Sequence, residues 1–274
     1  MSKITASEVN KLRKDTGAGI MDCKNALVEA EGNFETAIEI LRKKGQKVAA
    51  KRADRDSSEG AVIAMVNETE NKGVIISLNC ETDFVAKNEL FVDLAKSICS
   101  IAINCSSIEE LLSSNHDSMT IEEKLIEQTG VIGEKLEIGS FEFIESEFVG
   151  FYIHAGNKIA TLIGLSDKFE NSKEVSKNIA MQVAAMNPIA LNEDGVSKEI
   201  IEKEIEIAKD QLRAEGKPEA MLENIAKGKL KKFFKENTLI NQSYIKDNKS
   251  SVQNYIHSEH KGCSITDFKR VALV

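Results

Sequence analysis

A pattern of two strands followed by a helix occurs twice in this chain of 274 residues, and it constrains the fold more than any other feature. The first copy begins at Gly60 with AVIAMVNETENKGVIISLNCE, and the second begins at Gly150 with FYIHAGNKIATLIGLS. In each copy, two runs rich in Val, Ile and other strand-forming residues flank a turn, which is typical of a β-hairpin. Helical patterns follow at 91–103 and at 173–186. We therefore predict an α+β fold with a duplicated unit, and chance similarity between two common units is the alternative.

The N-terminal segment predicts a bundle of three short helices. Thr5 and Glu8 have the spacing of a capping box, in which each side chain bonds the backbone amide of the other residue. The sequence TGAG at 16–19 predicts the end of the first helix, because two glycines permit a tight reversal of the backbone. Asn33 is placed to cap the third helix, which we expect to end at Gly45.

A polar linker and the duplicated unit together predict three domains. The sequence after residue 50 is polar and lacks an apolar period, so we place a boundary near Asp54. The predicted domains are a three-helix module at 1–54, a first core subdomain at 55–143 and a second core subdomain at 144–274. Between the two copies, residues 108–136 look helical and polar, and residues 135–148 look like a further strand.

Residues 196–232 interrupt the duplicated pattern. They read as two charged amphipathic helices on either side of Gly216-Lys217-Pro218, which predicts an inserted helical hairpin or coiled coil. The apolar faces of this hairpin could form a homodimer contact. A structural insertion without any partner is the alternative.

The composition argues against several classes of protein. Hydrophobic residues make up 42% of the chain and charged residues 29%, as expected of a folded globular protein. No run approaches the roughly 18 apolar residues that span a bilayer, so we expect a cytoplasmic protein without membrane contact. The net charge of −8 and the lack of a basic-aromatic motif argue against direct binding of nucleic acid. The five cysteines have no C-x-x-C spacing and are expected to be reduced and mostly buried.

The sequence also lacks the usual motifs of enzymes. It contains no phosphate-binding loop and no G-x-S-x-G nucleophile turn. We therefore predict no catalytic residue, no cofactor and no metal. A thiol or metal enzyme is a rival hypothesis, because Cys23 could react as a thiolate, and His257, His260 and Cys263 have a spacing that could bind a metal.

Two segments carry more specific information. The first is LRKDTGAGIMDCKNAL at 12–27, and the second is LNCETDFVAKNEL at 78–90. From its residues alone, the second segment is a strand that turns into a helix at Thr82 or Asp83. In that interpretation Asp83 caps the helix, and Phe84 is a local anchor in the core.

These segments resemble the signature motifs of the elongation factor Ts family. The resemblance continues through HAGNKIATLI, AMQVAAMNPIAL, the GKPE of the hairpin and KGKLKKFFKENTLINQSYIKD, and so covers essentially the whole chain. It implies a ubiquitin-associated-type three-helix module, two α+β core subdomains and a coiled-coil insertion. It further implies a guanine-nucleotide exchange factor that makes no covalent bond and whose partner is the GTPase elongation factor Tu.

The resemblance also implies which residues contact the partner. In this family the TDFV turn, here residues 82–85, enters the G domain of elongation factor Tu beside its magnesium site. The turn comprises Thr82, Asp83, Phe84 and Val85, and the resemblance makes Asp83 and Phe84 the intruding pair.

Other partner contacts are implied by the same resemblance. Arg13 would supply charge, and Ile20 and Met21 would supply apolar area on the N-terminal module, although both apolar residues could instead form the bundle core. His154 matches a position that contacts the third domain of the partner, and a turn histidine is otherwise usually solvated.

The sequence departs from the family in two places. Glu81 stands where many relatives have Gln, which adds a charge next to the TDFV turn. The chain ends at Val274 after TDFKRVALV, which we interpret as a terminal strand, and the additional C-terminal helical module of some relatives is expected to be absent. A protein-binding module that acts through residues 1–54 alone, without exchange activity, is the remaining alternative.

Overall fold

The computed structural model describes residues 4–273 of the chain. Its first part is a bundle of three helices: α1 (Ala6–Thr16), α2 (Ile20–Glu29) and α3 (Phe34–Arg52). The predicted capping box is confirmed, since the Thr5 hydroxyl accepts from the Glu8 amide at 3.3 Å and the Glu8 carboxylate accepts from the Thr5 amide at 2.7 Å. Left-handed Gly17 ends α1, and the Asn33 side chain caps α3. The three helices enclose a small apolar core that includes Leu12 and Leu27.

The next part of the chain mixes strands and helices. Its elements are β1 (Glu59–Val66), β2 (Lys72–Cys80), α4 (Asp83–Ala86), α5 (Glu89–Ala102), α6 (Ile108–Ser113), β3 (Asn115–His116), β4 (Met119–Thr120), α7 (Ile121–Ile132) and β5 (Glu137–Glu145). The segment predicted to be helical at 108–136 is therefore two helices separated by a minimal β-hairpin. The strand predicted at 135–148 ends at Glu145.

The last part repeats this plan with an insertion. Its elements are β6 (Phe148–Ile153), β7 (Ile159–Leu165), α8 (Ser172–Met186), α9 (Lys198–Ala214), α10 (Glu219–Asn237), β8 (Ser243–Tyr244), β9 (Asp247–Ser251), α11 (Val252–Glu259) and β10 (Ile265–Ala272), with single 3₁₀ turns at Glu193–Gly195 and Leu239–Asn241. Strand β10 contains Thr266-Asp267-Phe268, as predicted for the end of the chain.

The two copies of the predicted unit have the same topology. In the first, β1 and β2 form an antiparallel hairpin, α5 packs on it, and β5 pairs with β2. In the second, β6 and β7 form the hairpin, α8 packs on it, and β10 pairs with β7. In both sheets the second hairpin strand is therefore central, which confirms the α+β fold with a duplicated unit.

The two sheets contact each other through apolar side chains. Val62 and Ile75 of the first sheet belong to one buried cluster with Val149 and Leu162 of the second. Strands β2 and β7 thus have apolar residues on both faces, one against a helix and one against the other sheet. This explains why their sequences are almost continuously hydrophobic.

The predicted end of α3 at Gly45 is wrong. The helix continues to Arg52, and Gly45 is buried where α3 crosses α7. A Cβ atom on Gly130 of α7 would lie 2.4 Å from the Gly45 Cα atom, so two glycines permit a backbone approach that no larger pair could make. Gly45 therefore serves helix packing and does not terminate the helix.

The inserted hairpin is present as predicted, with α10 extending to Asn237. Helices α9 and α10 pack on each other through residues such as Ala208, Leu212, Leu222 and Ala226. Homodimerisation through this hairpin stays a prediction, as do the domain boundaries near 54 and 143. Among residues 4–273, no helix is both long enough and apolar enough to cross a membrane.

Candidate functional site

The TDFV turn connects the end of β2 to the short helix α4. Thr82 has an extended backbone and is the N-cap, since its hydroxyl accepts from the Val85 amide at 3.5 Å. The expectation that Asp83 caps the helix is wrong, because Asp83 is already the first helical residue. The extended backbone of Thr82 places its hydroxyl to accept from the Val85 amide, which has no partner within the short helix.

Phe84 is displayed to solvent by this turn. Its side chain is 84% exposed, so the interpretation of Phe84 as a core anchor is wrong. The neighbouring Val85 packs against the first core, and Ala86 is buried in it. The turn is therefore fixed on one side by apolar packing while its aromatic ring projects from the other side.

Asp83 lies beside Phe84 and forms an ion pair on the surface. Its carboxylate accepts from the Lys87 ammonium at 2.6 Å, one helical turn away. This hydrogen bond is the main reason why the pKa of Asp83 lies below its ordinary value, and the Lys158 ammonium contributes to the same shift. Asp83 is thus a half-exposed, ionised carboxylate next to an exposed aromatic ring.

Glu134 binds the backbone just before the TDFV turn. It follows Gly133, whose left-handed φ of +82° ends α7. One carboxylate oxygen of Glu134 accepts from the amides of Glu81 at 3.1 Å and Thr82 at 3.0 Å. The other accepts from the Thr82 hydroxyl at 2.6 Å. A single side chain thereby satisfies three donors at the entry to the turn.

Glu81 makes a second set of bonds at the same place. Its carboxylate accepts from Arg52 Nη1 at 2.7 and 2.9 Å and from the Lys135 amide at 2.7 Å. Burial alone would raise the pKa of Glu81, but the Lys135 amide and the Arg52 guanidinium outweigh it, and the pKa lies below the ordinary value. We call the hydrogen bonds joining Arg52, Glu81, Thr82 and Glu134 the turn network.

The lowered pKa of Glu81 predicts a pH dependence of stability. A carboxyl group with a lower pKa in the folded state stabilises the fold when ionised, so its contribution is present above about pH 4.5 and is lost as the pH falls through the folded pKa. We expect the melting temperature of Glu81→Gln to depend less steeply on pH than that of the wild type between about pH 5 and pH 3.

Circular dichroism melting at a series of pH values measures this dependence. Glu142→Gln, which removes an exposed carboxylate from β5, is the control and is expected to follow the wild-type curve. Parallel curves for Glu81→Gln and the wild type would show that the ionised Glu81 does not stabilise the fold.

The residues implied for the N-terminal contact lie around one turn. Arg13 is exposed in the last turn of α1, and Ile20 and Met21 begin α2. The side chains of Ile20 and Met21 are 48% and 59% exposed, so the alternative that they form the bundle core is wrong. The core positions of α2 are taken by Cys23, Ala26 and Leu27.

His154 lies in the turn between β6 and β7. Its Nδ1 atom is 3.0 Å from the Tyr152 hydroxyl, and its side chain is exposed. The same turn is attached to the first sheet, since the Asn157 carbonyl accepts from the Val62 amide at 2.7 Å. Lys158, whose charge contributes to the lowered pKa of Asp83, also forms an ion pair with Glu59 of β1.

Sequence reasoning missed three residues around the site. Arg52 and Glu134 are ordinary charged residues in the sequence, and only the fold brings them to the TDFV turn. Leu90, in the first turn of α5, is 81% exposed and lies six residues after Phe84. An apolar residue outside the buried face of α5 (Phe91, Ala95, Ile98 and Ala102) was the available signal for Leu90.

Three of the residues of the rival enzyme hypothesis, His260, Cys263 and Cys23, are buried or engaged in other contacts, and His257 is exposed. The His260 ring stacks on Phe169 at 4.7 Å and bonds Asp167, while Cys263 is fully buried. Burial raises the pKa of the Cys23 thiol, which disfavours the reactive thiolate. All five cysteines are free and buried, as predicted. Within residues 4–273, no group of three or more His, Cys, Asp or Glu side chains could hold a metal ion.

Comparison with known proteins decides the family. The family model described as elongation factor TS matches residues 81–274, more than half of the chain. This chain belongs to the elongation factor Ts family. The matched region begins at Glu81, immediately before the TDFV turn. Elongation factor Ts is a translation elongation factor that promotes nucleotide exchange and catalyses no covalent chemistry, and the family implies a partnership with elongation factor Tu.

Curated relatives extend the similarity to the N-terminal module. Elongation factor Ts of Christiangramia forsetii is 64% identical over 273 residues, and that of Flavobacterium psychrophilum is 63% identical over 273 residues; both matches cover 100% of each chain. Elongation factor Ts of Porphyromonas gingivalis strain W83 is 43% identical over 273 residues, with 98% of each chain covered.

Proposed function

We propose that this chain binds elongation factor Tu in its GDP form and promotes GDP release by inserting the TDFV turn near the magnesium and phosphate site. The observation that carries the proposal is an aromatic ring, Phe84, that is almost fully exposed on a turn held by the turn network and by core packing. A ring that is this exposed, on a turn that is held in place, is available for contact with another molecule.

Insertion of a ring into a packed domain has a physical consequence. Protein interiors contain few voids, so Phe84 must displace side chains or backbone of the partner. Groups that hold magnesium and the β-phosphate bind GDP through strong charge contacts, and a small displacement weakens these contacts by several kcal/mol. The half-exposed carboxylate of Asp83 adds a negative charge at the same place.

Thermodynamic linkage makes the effect reciprocal. If this chain weakens GDP binding by a given factor, GDP weakens binding of the chain by the same factor. Abundant GTP then rebinds to the emptied partner and displaces the chain. No covalent bond is made or broken, and no cofactor is needed.

We propose two further contacts with the partner. Arg13, Ile20 and Met21 of the N-terminal module bind the G domain, and His154 binds the third domain. Supporting this, all four side chains are exposed: Arg13 lies in the last turn of α1, Ile20 and Met21 begin α2, and His154 lies in the turn between β6 and β7.

Replacing both Ile20 and Met21 with serine is expected to weaken the complex with elongation factor Tu by at least about tenfold, because apolar area would be lost from the contact. The maximum rate of GDP release should change little, since the TDFV turn is intact. Titration of release rate against chain concentration separates the two effects. Met221→Ser, which alters a 52% exposed methionine in α10, is the control, and equal affinity of the double variant and this control would exclude the contact.

Stopped-flow release of fluorescent GDP from elongation factor Tu tests the function. We expect the purified full-length chain to accelerate release in proportion to its concentration until the rate saturates. The alternative of a binding module without exchange activity predicts a complex with elongation factor Tu but no acceleration. Release at the spontaneous rate over the full concentration range would therefore reject the proposal.

A further inference from the structure

We propose that Glu134 is a positioning residue for nucleotide exchange, because its carboxylate fixes the conformation in which the TDFV turn presents Phe84. The inference rests on the proposed exchange function and adds a residue that touches neither the nucleotide nor the inserted ring. Glu134 follows α7, fifty residues beyond Phe84 in the sequence.

The contacts of Thr82 show how Glu134 acts on the turn. The Thr82 hydroxyl donates its only hydrogen to Glu134 at 2.6 Å, which leaves its lone pairs to accept from the Val85 amide. The second Glu134 oxygen holds the amides of Glu81 and Thr82 at the same time. Glu134 thus determines both the backbone direction before α4 and the orientation of the group that caps α4.

The bonding runs in both directions between two chain segments. While Glu134 accepts from the Glu81 amide, the Glu81 carboxylate accepts from the Lys135 amide at 2.7 Å. Rotation of either segment would break bonds on both sides. The conformation of the turn is therefore tied to the end of α7 and does not depend on Phe84, whose ring is exposed.

The same elements connect the turn to the N-terminal module. Helix α7 crosses α3 at the Gly45–Gly130 contact, and Arg52 at the end of α3 pairs with Glu81. The module that displays Met21 and the turn that displays Phe84 are consequently both attached to the packed pair of helices α3 and α7. Groups that are fixed before binding lose less conformational freedom in the complex, which favours a productive geometry.

Substitution of Glu134 should reduce the maximum rate of GDP release. We expect Glu134→Ala to lower this rate about tenfold, the usual effect of losing a charge-assisted hydrogen bond, with little change in the half-saturating concentration. Glu134→Gln should lie between alanine and the wild type, because its amide oxygen can still accept from two backbone amides while its NH₂ group cannot accept from Thr82. Glu122→Gln, an exposed residue at the other end of α7, is the control.

A double-mutant cycle separates positioning from a general effect on the fold. If Glu134 acts by placing Phe84, then Glu134→Ala will slow release in the wild-type background but not in the Phe84→Ala background. Stopped-flow release of fluorescent GDP gives the rates, and circular dichroism melting reports the fold of each variant. If the alanine variant does not fold, Glu134→Gln takes its place in the cycle.

The outcomes distinguish this inference from the proposed function. Equal slowing in both backgrounds, or wild-type release by a folded Glu134 variant, would overturn the positioning role. Failure of the proposed function gives a different result, since GDP would then leave elongation factor Tu equally fast with Phe84→Ala and with the wild-type chain.

Discussion

Phe84→Ala is expected to slow catalysed GDP release by on the order of 100-fold while the chain remains folded. Burial of a phenylalanine side chain in the partner stabilises the complex by about 3 kcal/mol. This stabilisation is gained only in the state in which the GDP contacts are displaced, so its loss slows GDP release. The ring makes little contact within its own chain, since it is 84% exposed, so its removal should not change the melting temperature. Stopped-flow release of fluorescent GDP from elongation factor Tu measures the rate.

A matched control keeps the effect specific to the TDFV turn. Ile245→Ala removes an exposed apolar side chain from the turn between β8 and β9, in the other half of the molecule. This variant is expected to promote GDP release from elongation factor Tu at the wild-type rate. Unchanged release by Phe84→Ala would remove Phe84 from the mechanism, and equal slowing by both variants would point to a general loss of apolar surface.

Gly130→Val is expected to weaken the packing of the N-terminal module on the core. A Cβ atom at this position meets the Gly45 Cα atom at 2.4 Å, and backbone on both sides prevents a local adjustment. Overpacking of this kind costs about 1–3 kcal/mol and should lower the melting temperature by several degrees. Since displacement of α3 also strains the Arg52–Glu81 pair, the half-saturating concentration for GDP release should rise.

Gly228→Ala is the control for replacing a helical glycine. Gly228 lies in α10, and a Cβ atom there has no neighbour within 4 Å. Alanine should therefore stabilise this helix by up to about 1 kcal/mol and leave exchange unchanged. Equal melting temperatures and equal exchange for Gly130→Val and the wild type would show that the close crossing of α3 and α7 is not required.

Local sequence patterns predicted most of the secondary structure. The capping box of Thr5 and Glu8, the Asn33 cap and the strand alternation after Gly60 and Gly150 each depend on neighbours within a few residues. Gly45 was misjudged because a glycine at a helix end and a glycine at a helix crossing look alike in one sequence. Only the position of Gly130 on α7 distinguishes them.

The candidate site was predictable in part. The TDFV residues and the N-terminal apolar pair came from family resemblance, and the structure adds that Phe84 is exposed, which no periodicity could establish for a residue at a strand–helix junction. Glu134 and Arg52 are brought to the turn by tertiary contacts, and their sequence surroundings resemble those of any solvated charge. Their roles depend on hydrogen bonds across fifty-two and twenty-nine positions of the chain.

The affinity of elongation factor Tu for GDP, measured with and without a saturating amount of this chain, tests the central claim most directly. We predict that the chain lowers this affinity at least tenfold, roughly the usual size of a coupling between two sites, and that GDP lowers the affinity for the chain by the same factor. An unchanged GDP affinity in the presence of bound chain would contradict the account.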